Sequence, residues 1–407
     1  MIKQNLVCKN NFLKKDLNKN FSQKLLKKFN KTIQEINLEI NNDKKLLHVL
    51  NKNYKFNFNF NDLRNFKKYN TIAIIGMGGS ILGSEAIYNF LSKKIKKKVY
   101  FFNNLDFEKI TKFKKKENKN RVLFLVISKS GNTLETLSNF LSLKIIKKKS
   151  KNIIIITEKK DNFLKQLVDK FNLFYLEHNK FIGGRYSVLS EVGIVPSYLM
   201  GINVFKLRLQ IRAYLKDTNK LFLKESSINL ARGIFLKKKM NLVFLNYVPE
   251  LENFLYWCQQ LIAESLGKKG KGFFPVVSNV PKDHHSLLQL YLDGPKDKLF
   301  YIFSLEGKKT NEKISLDKIK LKKNFLNNKR LSTIKEAQKN AMIKSLKQNK
   351  ISFREFKLNT INEDVLGKLF SYFILETIIL GKLVNLNPFD QPAVEQVKIN
   401  TKKLLNK

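Results

Sequence analysis

Four short stretches hold side chains on which chemistry could rest. In WCQQLIAESLGKKGKG, from Trp257 to Gly272, Gln260 and Glu264 are four residues apart. On a helix both face the same way, beside apolar Leu261 and Ile262. A carboxylate beside an apolar surface and near a helix end can be tuned to accept a proton, although an ordinary solvated glutamate reads the same way. In FIGGRYSVLSEVG, Phe181 to Gly193, two glycines precede Arg185 and let the main chain bring a guanidinium close to a ligand. Lysine far outnumbers arginine in this chain, so an arginine at such a place suggests a planar, two-pronged requirement rather than a surface ion pair.

The stretch VISKSGNTLET, Val126 to Thr136, gathers Ser128, Ser130, Thr133 and Thr136 around a helix start, with Lys129 as a cation. Helix-start N–H groups and hydroxyls suit a phosphate monoester. The competing reading is a plainly capped helix with Glu135 in its first turn. In IIGMGGSILGSEA, Ile74 to Ala86, Gly76, Gly78 and Gly79 allow close backbone approach and Ser80 stands at a helix start. A dinucleotide fold needs a third glycine where Ile81 stands and an acid where the next strand end, VYFFNN, has asparagines. A phosphate-binding P-loop needs lysine after Gly83, where Ser84 stands. Both nucleotide motifs therefore fail.

Two further stretches matter. VPKDHHSLLQLY, Val280 to Tyr291, places two of the chain's four histidines side by side, behind Asp283 as a candidate N-cap. NPFDQPAVEQVK, Asn387 to Lys398, leads from a proline-punctuated turn into a short helix; Gln391 and Lys398 are seven apart and could share its face.

The elements that must position these groups follow from periodicity. Residues 1–55 are polar with helical apolar spacing, as in FSQKLLKKFNKTIQEINLEI. From Thr71, β-branched runs alternate with helices: TIAIIG, VYFF, RVLFLVIS and NIIIIT, then NLVFLNY, FFPVVSN, KLFYIFSL and ISFREFKL. Strands apolar on both faces and separated by helices predict parallel sheets covered on both sides. The expected architecture is α/β, with two tandem αβα sandwiches spanning 56–215 and 216–385, a helical segment at 1–55, and a helical segment at 386–407 that carries Lys398. Ligands then belong beyond the carboxyl ends of the strands.

Composition bounds the partners. The 407 residues carry 78 Lys+Arg against 33 acids, a formal charge of +45. Such charge raises nucleic acid as a partner. However, lysine, asparagine, isoleucine and phenylalanine are over-used together, as A+T-rich codons would produce, and the lysines scatter between apolar segments. The charge is read as solvated surface rather than a nucleic-acid footprint. Cys8 and Cys258 form neither a disulfide framework nor a metal-ligand pair, which suits a reducing compartment. The N-terminal stretch lacks a secretory signal's apolar core, and SYFILETIILGKLV is broken by Glu376 and Lys382, so a soluble cytoplasmic protein without membrane contact is expected.

In order along the chain, GMGGS, SKSGNTLET, GGRYSVLSEVG, QLIAESLGKKGKG, HSLLQLYLDG and NPFDQPAVEQVK resemble the motifs of the glucose-6-phosphate isomerases, and more broadly of the sugar isomerase domain family. The resemblance covers most of the chain. It implies interconversion of glucose 6-phosphate and fructose 6-phosphate without a cofactor or metal. Ser128, Lys129, Ser130, Thr133 and Thr136 would hold the phosphate, and Gly79 and Ser80 would contact the sugar. Glu264 would move a proton between C2 and C1 through an enediol, and Arg185 would stabilise the charge formed. His285 and Lys398 would assist ring opening, with Gln260 and Gln391 orienting the substrate. It also implies a homodimer in which His285 reaches the neighbouring subunit's site. Two positions depart from the family's pattern: His284 stands where glutamine is usual, and Ala393 where glycine is usual. An isomerase that also accepts mannose 6-phosphate, or a sugar-phosphate-sensing regulator that binds nucleic acid, are the alternative readings. The regulator would need a DNA-reading head that the first 55 residues do not display.

Overall fold

Burial on both faces explains the strands: every side chain of VLFLVI, Val122–Ile127, is buried. The computed structural model describes residues 5–12, 19–147, 150–237, 239–306, 312–316 and 324–406. Its first elements are β1 (Leu6–Asn11) and α1 (Lys19–Ile40). A sheet then forms from β2 (Thr71–Gly76), β3 (Lys98–Phe102), β4 (Val122–Ile127), β5 (Ile153–Thr157) and β6 (Phe174–Glu177). All its pairings are parallel, in the order β3-β2-β4-β5-β6. The crossovers are α2 (Leu82–Phe90), α3 (Phe107–Lys116), α4 (Leu134–Ser142) and α5 (Phe163–Phe171).

Helices α6 (Glu191–Met200), α7 (Val204–Arg208) and α8 (Asp217–Phe235) lead to the second sheet. There β7 (Asn241–Asn246), α9 (Glu252–Leu266), β8 (Phe274–Asn279), α10 (His284–Leu292), β9 (Lys298–Leu305), α11 (Leu331–Gln348) and β10 (Phe353–Leu358) follow one another. The strand order is β1-β10-β9-β7-β8. Helices α12 (Glu363–Leu383) and α13 (Ala393–Leu405) come last.

All eight apolar runs quoted above are strands. Two strands were not anticipated. β6 is short, and β1 lies in the segment expected to be helical. LVCKNN has no apolar alternation of its own; it is extended because it pairs antiparallel with β10, Leu6 opposite Leu358. Thus tertiary pairing decides its conformation.

Helix α12 is apolar nearly all round because it is packed nearly all round, by α1, α7, α8 and α9. Its two interrupting charges are both answered. Lys382 reaches Glu35 and Glu39 on α1 at 3.0 and 3.1 Å, and Glu376 pairs with Arg354 of β10 at 2.9 Å. Arg354 is fully buried, lies over the Tyr301 ring, and donates to Asn10 of β1 and Ser226 of α8 at 3.0 and 2.8 Å. Among the described residues, no helix is long and apolar enough to cross a membrane.

Removing one member of a buried ion pair strands its partner. Arg354→Leu is therefore expected to destabilise the chain by about 3–5 kcal/mol, read as a lowered urea midpoint, whereas Lys112→Leu, at an exposed pair with Glu108, should cost about 1 kcal/mol or less.

Candidate active site

The turns after β2 and β6 of the first sheet meet through a close backbone contact. Gly79 follows β2, and a Cβ built there would lie 2.2 Å from the carbonyl carbon of Gly184. Only glycine permits this approach. At Gly78, φ is +51°, and a Cβ would lie 2.6 Å from Gln260 Nε2 on α9. Ser80 is buried at the same turn.

Gly184 opens a 3₁₀ turn, Gly184–Leu189, that carries Arg185 into the interior with 4% of its surface exposed. Its Nε donates to Ser265 Oγ at 2.7 Å, and Nη1 donates to Gln391 Oε1 at 2.7 Å and to Glu264 Oε2 at 3.3 Å. Nη2 donates to the carbonyls of Pro388 and Asp390 at 2.6 and 3.1 Å. The planar fork expected of this arginine is fully used. Tyr186 O–H completes the joint, within 2.8 Å of both Ser265 Oγ and the Pro388 carbonyl.

Glu264 and Gln260 share one face of α9, as their spacing predicted. Gln260 Nε2 donates to Glu264 Oε1 at 3.0 Å, while Oε2 faces Arg185. The carboxylate is about one-third exposed and borders two openings. One, of about 600 Å³, also reaches Glu85 and Asn103; the other, of about 560 Å³, reaches Lys268 and Gln391.

The hydroxyl cluster lies in the loop between β4 and α4. Ser128 Oγ and Thr133 Oγ1 are 2.9 Å apart, Ser130 Oγ is 3.4 Å from Thr133 Oγ1, and the Gly131 N–H donates to Ser128 Oγ at 3.2 Å. Thr133 occupies the N-cap position of α4 but its side chain makes no cap bond. The plain-cap reading therefore fails, and the first N–H groups of α4 have no side-chain acceptor. Thr136 Oγ1 is buried without a hydrogen-bond partner among the described residues. Gly131 sits at φ +69° against Asn162, which caps α5 through the Lys165 N–H. Lys129 is engaged elsewhere: its ammonium donates to the Lys180 carbonyl at 2.9 Å and faces Glu158 at 3.5 Å. Burial lowers its pKa.

Two sequence readings need correction. Asp283 precedes α10 as expected, but its carboxylate accepts the Asn279 N–H at 2.8 Å instead of capping the helix. Gln391 lies in the turn before α13 and so shares no helix face with Lys398. Lys398 is exposed and paired with Glu395 at 2.7 Å, with no bond to Arg185 or Glu264. His285 is also exposed at the start of α10, and its ring has no bonding partner among the described residues. Its neighbour His284 accounts for itself: Nε2 lies 3.1 Å from Tyr247 O–H, and burial lowers its pKa.

Sequence reasoning missed Ser265, Tyr186, Glu85 and Asn103. The first two flank quoted residues, so adjacency was an available signal. Glu85 gave none, since its role depends on β3 bringing Asn103 beside α2. Asn103 Nδ2 donates to Glu85 Oε1 at 2.5 Å, and burial pushes this carboxyl up to about 7. No cluster of metal-ligating side chains occurs among the described residues.

The strand-end cradle and buried arginine define a protein of the phosphosugar isomerase fold. A hypothetical protein of Thermus thermophilus superposes with a TM-score of 0.79 at 23% identity, covering 98% of this chain and 100% of that one. A glucose-6-phosphate isomerase from Chlamydia trachomatis superposes at 0.71 and 18% identity, covering 85% and 72%. The family model for phosphoglucose isomerase matches residues 56–274. A glucose-6-phosphate isomerase of Methanocaldococcus jannaschii is 35% identical over 84% of this chain and 85% of its own length, and one of Campylobacter jejuni is 31% identical over 82% and 85%. The chain belongs to the phosphoglucose isomerase family of enzymes.

The folded chain holds the Glu85 proton more tightly than the unfolded chain does, so this residue costs stability as pH rises from about 4.5 to about 7, and no more beyond. Glu85→Gln is expected to gain on wild type across that window, by up to about 3 kcal/mol, in urea titrations at pH 5 and pH 8.

Proposed function

We propose that the chain interconverts glucose 6-phosphate and fructose 6-phosphate by proton transfer at Glu264. The observation that carries this reading is the Glu264–Arg185 pair at 3.3 Å, beside the Gly78–Gly79 turn. Isomerisation needs a base at C2–H, a fixed positive charge where the enediolate oxygen forms, and an anchor for the phosphate. Glu264 Oε2 takes the C2 proton and returns it to C1, while Gln260 holds the other carboxylate oxygen in register. Arg185 cannot change protonation state, and its bonds to Ser265 and two carbonyls aim it without reorganisation.

In this reading Ser128, Ser130, Thr133 and Thr136 hold the phosphate against the start of α4, with Lys129 as a nearby cation. Gly79 and Ser80 contact the sugar, and Gln391 orients it. Ring opening requires a proton shuttle. We assign it to His285 of a second copy in a homodimer, with Lys398 delivered as the exposed α13 closes over the opening beside Lys268 and Gln391.

Two outcomes test this. Coupling fructose 6-phosphate turnover to glucose-6-phosphate dehydrogenase should yield NADPH with wild type, and Glu264→Gln should lower kcat by about 10²–10⁴-fold with little loss of substrate binding. An unchanged rate would remove Glu264 as the base. Mixing inactive His285→Ala and Glu264→Gln chains should restore about a quarter of wild-type activity, because half the random dimers then hold one intact site. Absence of rescue on subunit exchange would place His285 in its own chain's site.

A further inference from the structure

The second sheet repeats the geometry that builds the cradle in the first. Strand order reverses between β2 and β4 in the first sheet, and the Gly76–Ser80 and Ser128–Thr133 turns lie at those two strand ends. In the second sheet the reversal falls between β7 and β9, and α11 follows β9 as α4 follows β4. Crevices at such reversals are where open parallel sheets take ligands. A cavity of about 390 Å³ opens there, walled by Tyr247–Glu250 after β7, by Ser304–Glu306 at the end of β9, and by the first turns of α11.

Its polar groups point to an anion. Ser304 is 3% exposed, lines the cavity, and its Oγ has no hydrogen-bond partner among the described residues. Lys339 is 6% exposed, also lines it, and has no ion-pair partner among those residues. An ammonium beside a buried hydroxyl offers a bound anion charge-assisted hydrogen bonds. The start of α11, whose N-cap Arg330 makes no side-chain cap bond, adds main-chain N–H groups beside Ser332, Thr333 and Lys335. The opposite wall is acidic, with Glu250, Glu306 and Glu336, of which Glu306 already faces Lys357 at 3.6 Å. Carboxylates repel a bare polyanion but accept hydrogen bonds from hydroxyls.

We propose that this cavity is a second binding site for a phosphorylated sugar or polyol, with Ser304, Lys339 and the start of α11 on the phosphate and the glutamates on the hydroxyls. The inference is independent of the isomerase reading, since it uses none of that site's residues.

Calorimetric titration of the full chain with sorbitol 6-phosphate, which has no carbonyl to isomerise, tests it. Wild type should bind two equivalents per chain. Lys339→Met and, separately, Ser304→Ala should lose one of them or weaken it about tenfold or more, as removal of a charged hydrogen bond does. The joint change Ser128→Ala with Thr133→Val should lose only the other equivalent. The cradle equivalent retained in the Lys339 and Ser304 variants reports that they are folded; if Lys339→Met fails to fold, Ser304→Ala decides. The proposal falls if the folded variants bind as many equivalents as wild type with unchanged affinity.

Discussion

A guanidinium buried to 4% exposure must have its donors satisfied, and the site is arranged around meeting that demand for Arg185. Its acceptors come from two separate places: the end of α9, which gives Ser265 and the Glu264 carboxylate, and the Asn387–Gln391 turn. None could approach unless the turn bearing Arg185 lay against the Gly79 turn with no side chain between them. Lysine, a point charge on a flexible stem, could hold one or two of these partners but not the plane they define.

The same economy governs the cradle. Its hydroxyls bond mainly to one another and to the loop, and Gly131 wedges the loop against the Asn162 cap of α5. The loop is therefore shaped before any ligand arrives, so little ordering remains to oppose binding. In the proposed reading, the start of α4, where Thr133 makes no side-chain cap bond, and the Thr136 hydroxyl, without a partner among the described residues, are the groups a ligand would engage.

Much of this was legible in the residue pattern. Runs such as VLFLVI and KLFYIFSL are strands because both their faces are covered, and that coverage is what makes them continuously apolar. Gly79, Arg185, Gln260, Glu264 and Gln391 come together because glycine spacing, helix periodicity and strand-end topology are local signals that agree. Where the outcome depended on remote partners, local signals failed. LVCKNN is a strand only through β10, Glu85 is raised by burial against the opposing pull of Lys109 and Asn103, and Lys129 turns to Glu158 rather than to the neighbouring hydroxyls. His285 is exposed and Lys398 is paired with Glu395, both away from Arg185 and Glu264, and nothing local in HHSLLQLY or AVEQVK signalled that placement.

The pairing of β1 with β10 also bears on the order in which the molecule assembles. Leu6 lies opposite Leu358, so this strand has no partner until some 350 residues later. The first sheet uses no strand outside Thr71–Glu177 and can close while the ribosome is still working. The second sheet closes its outer edge with β1, whose partner β10 is made long after it. Closing so long a loop is slow, and this seam, pinned by Asn10 on Arg354, is the last stitch of the fold.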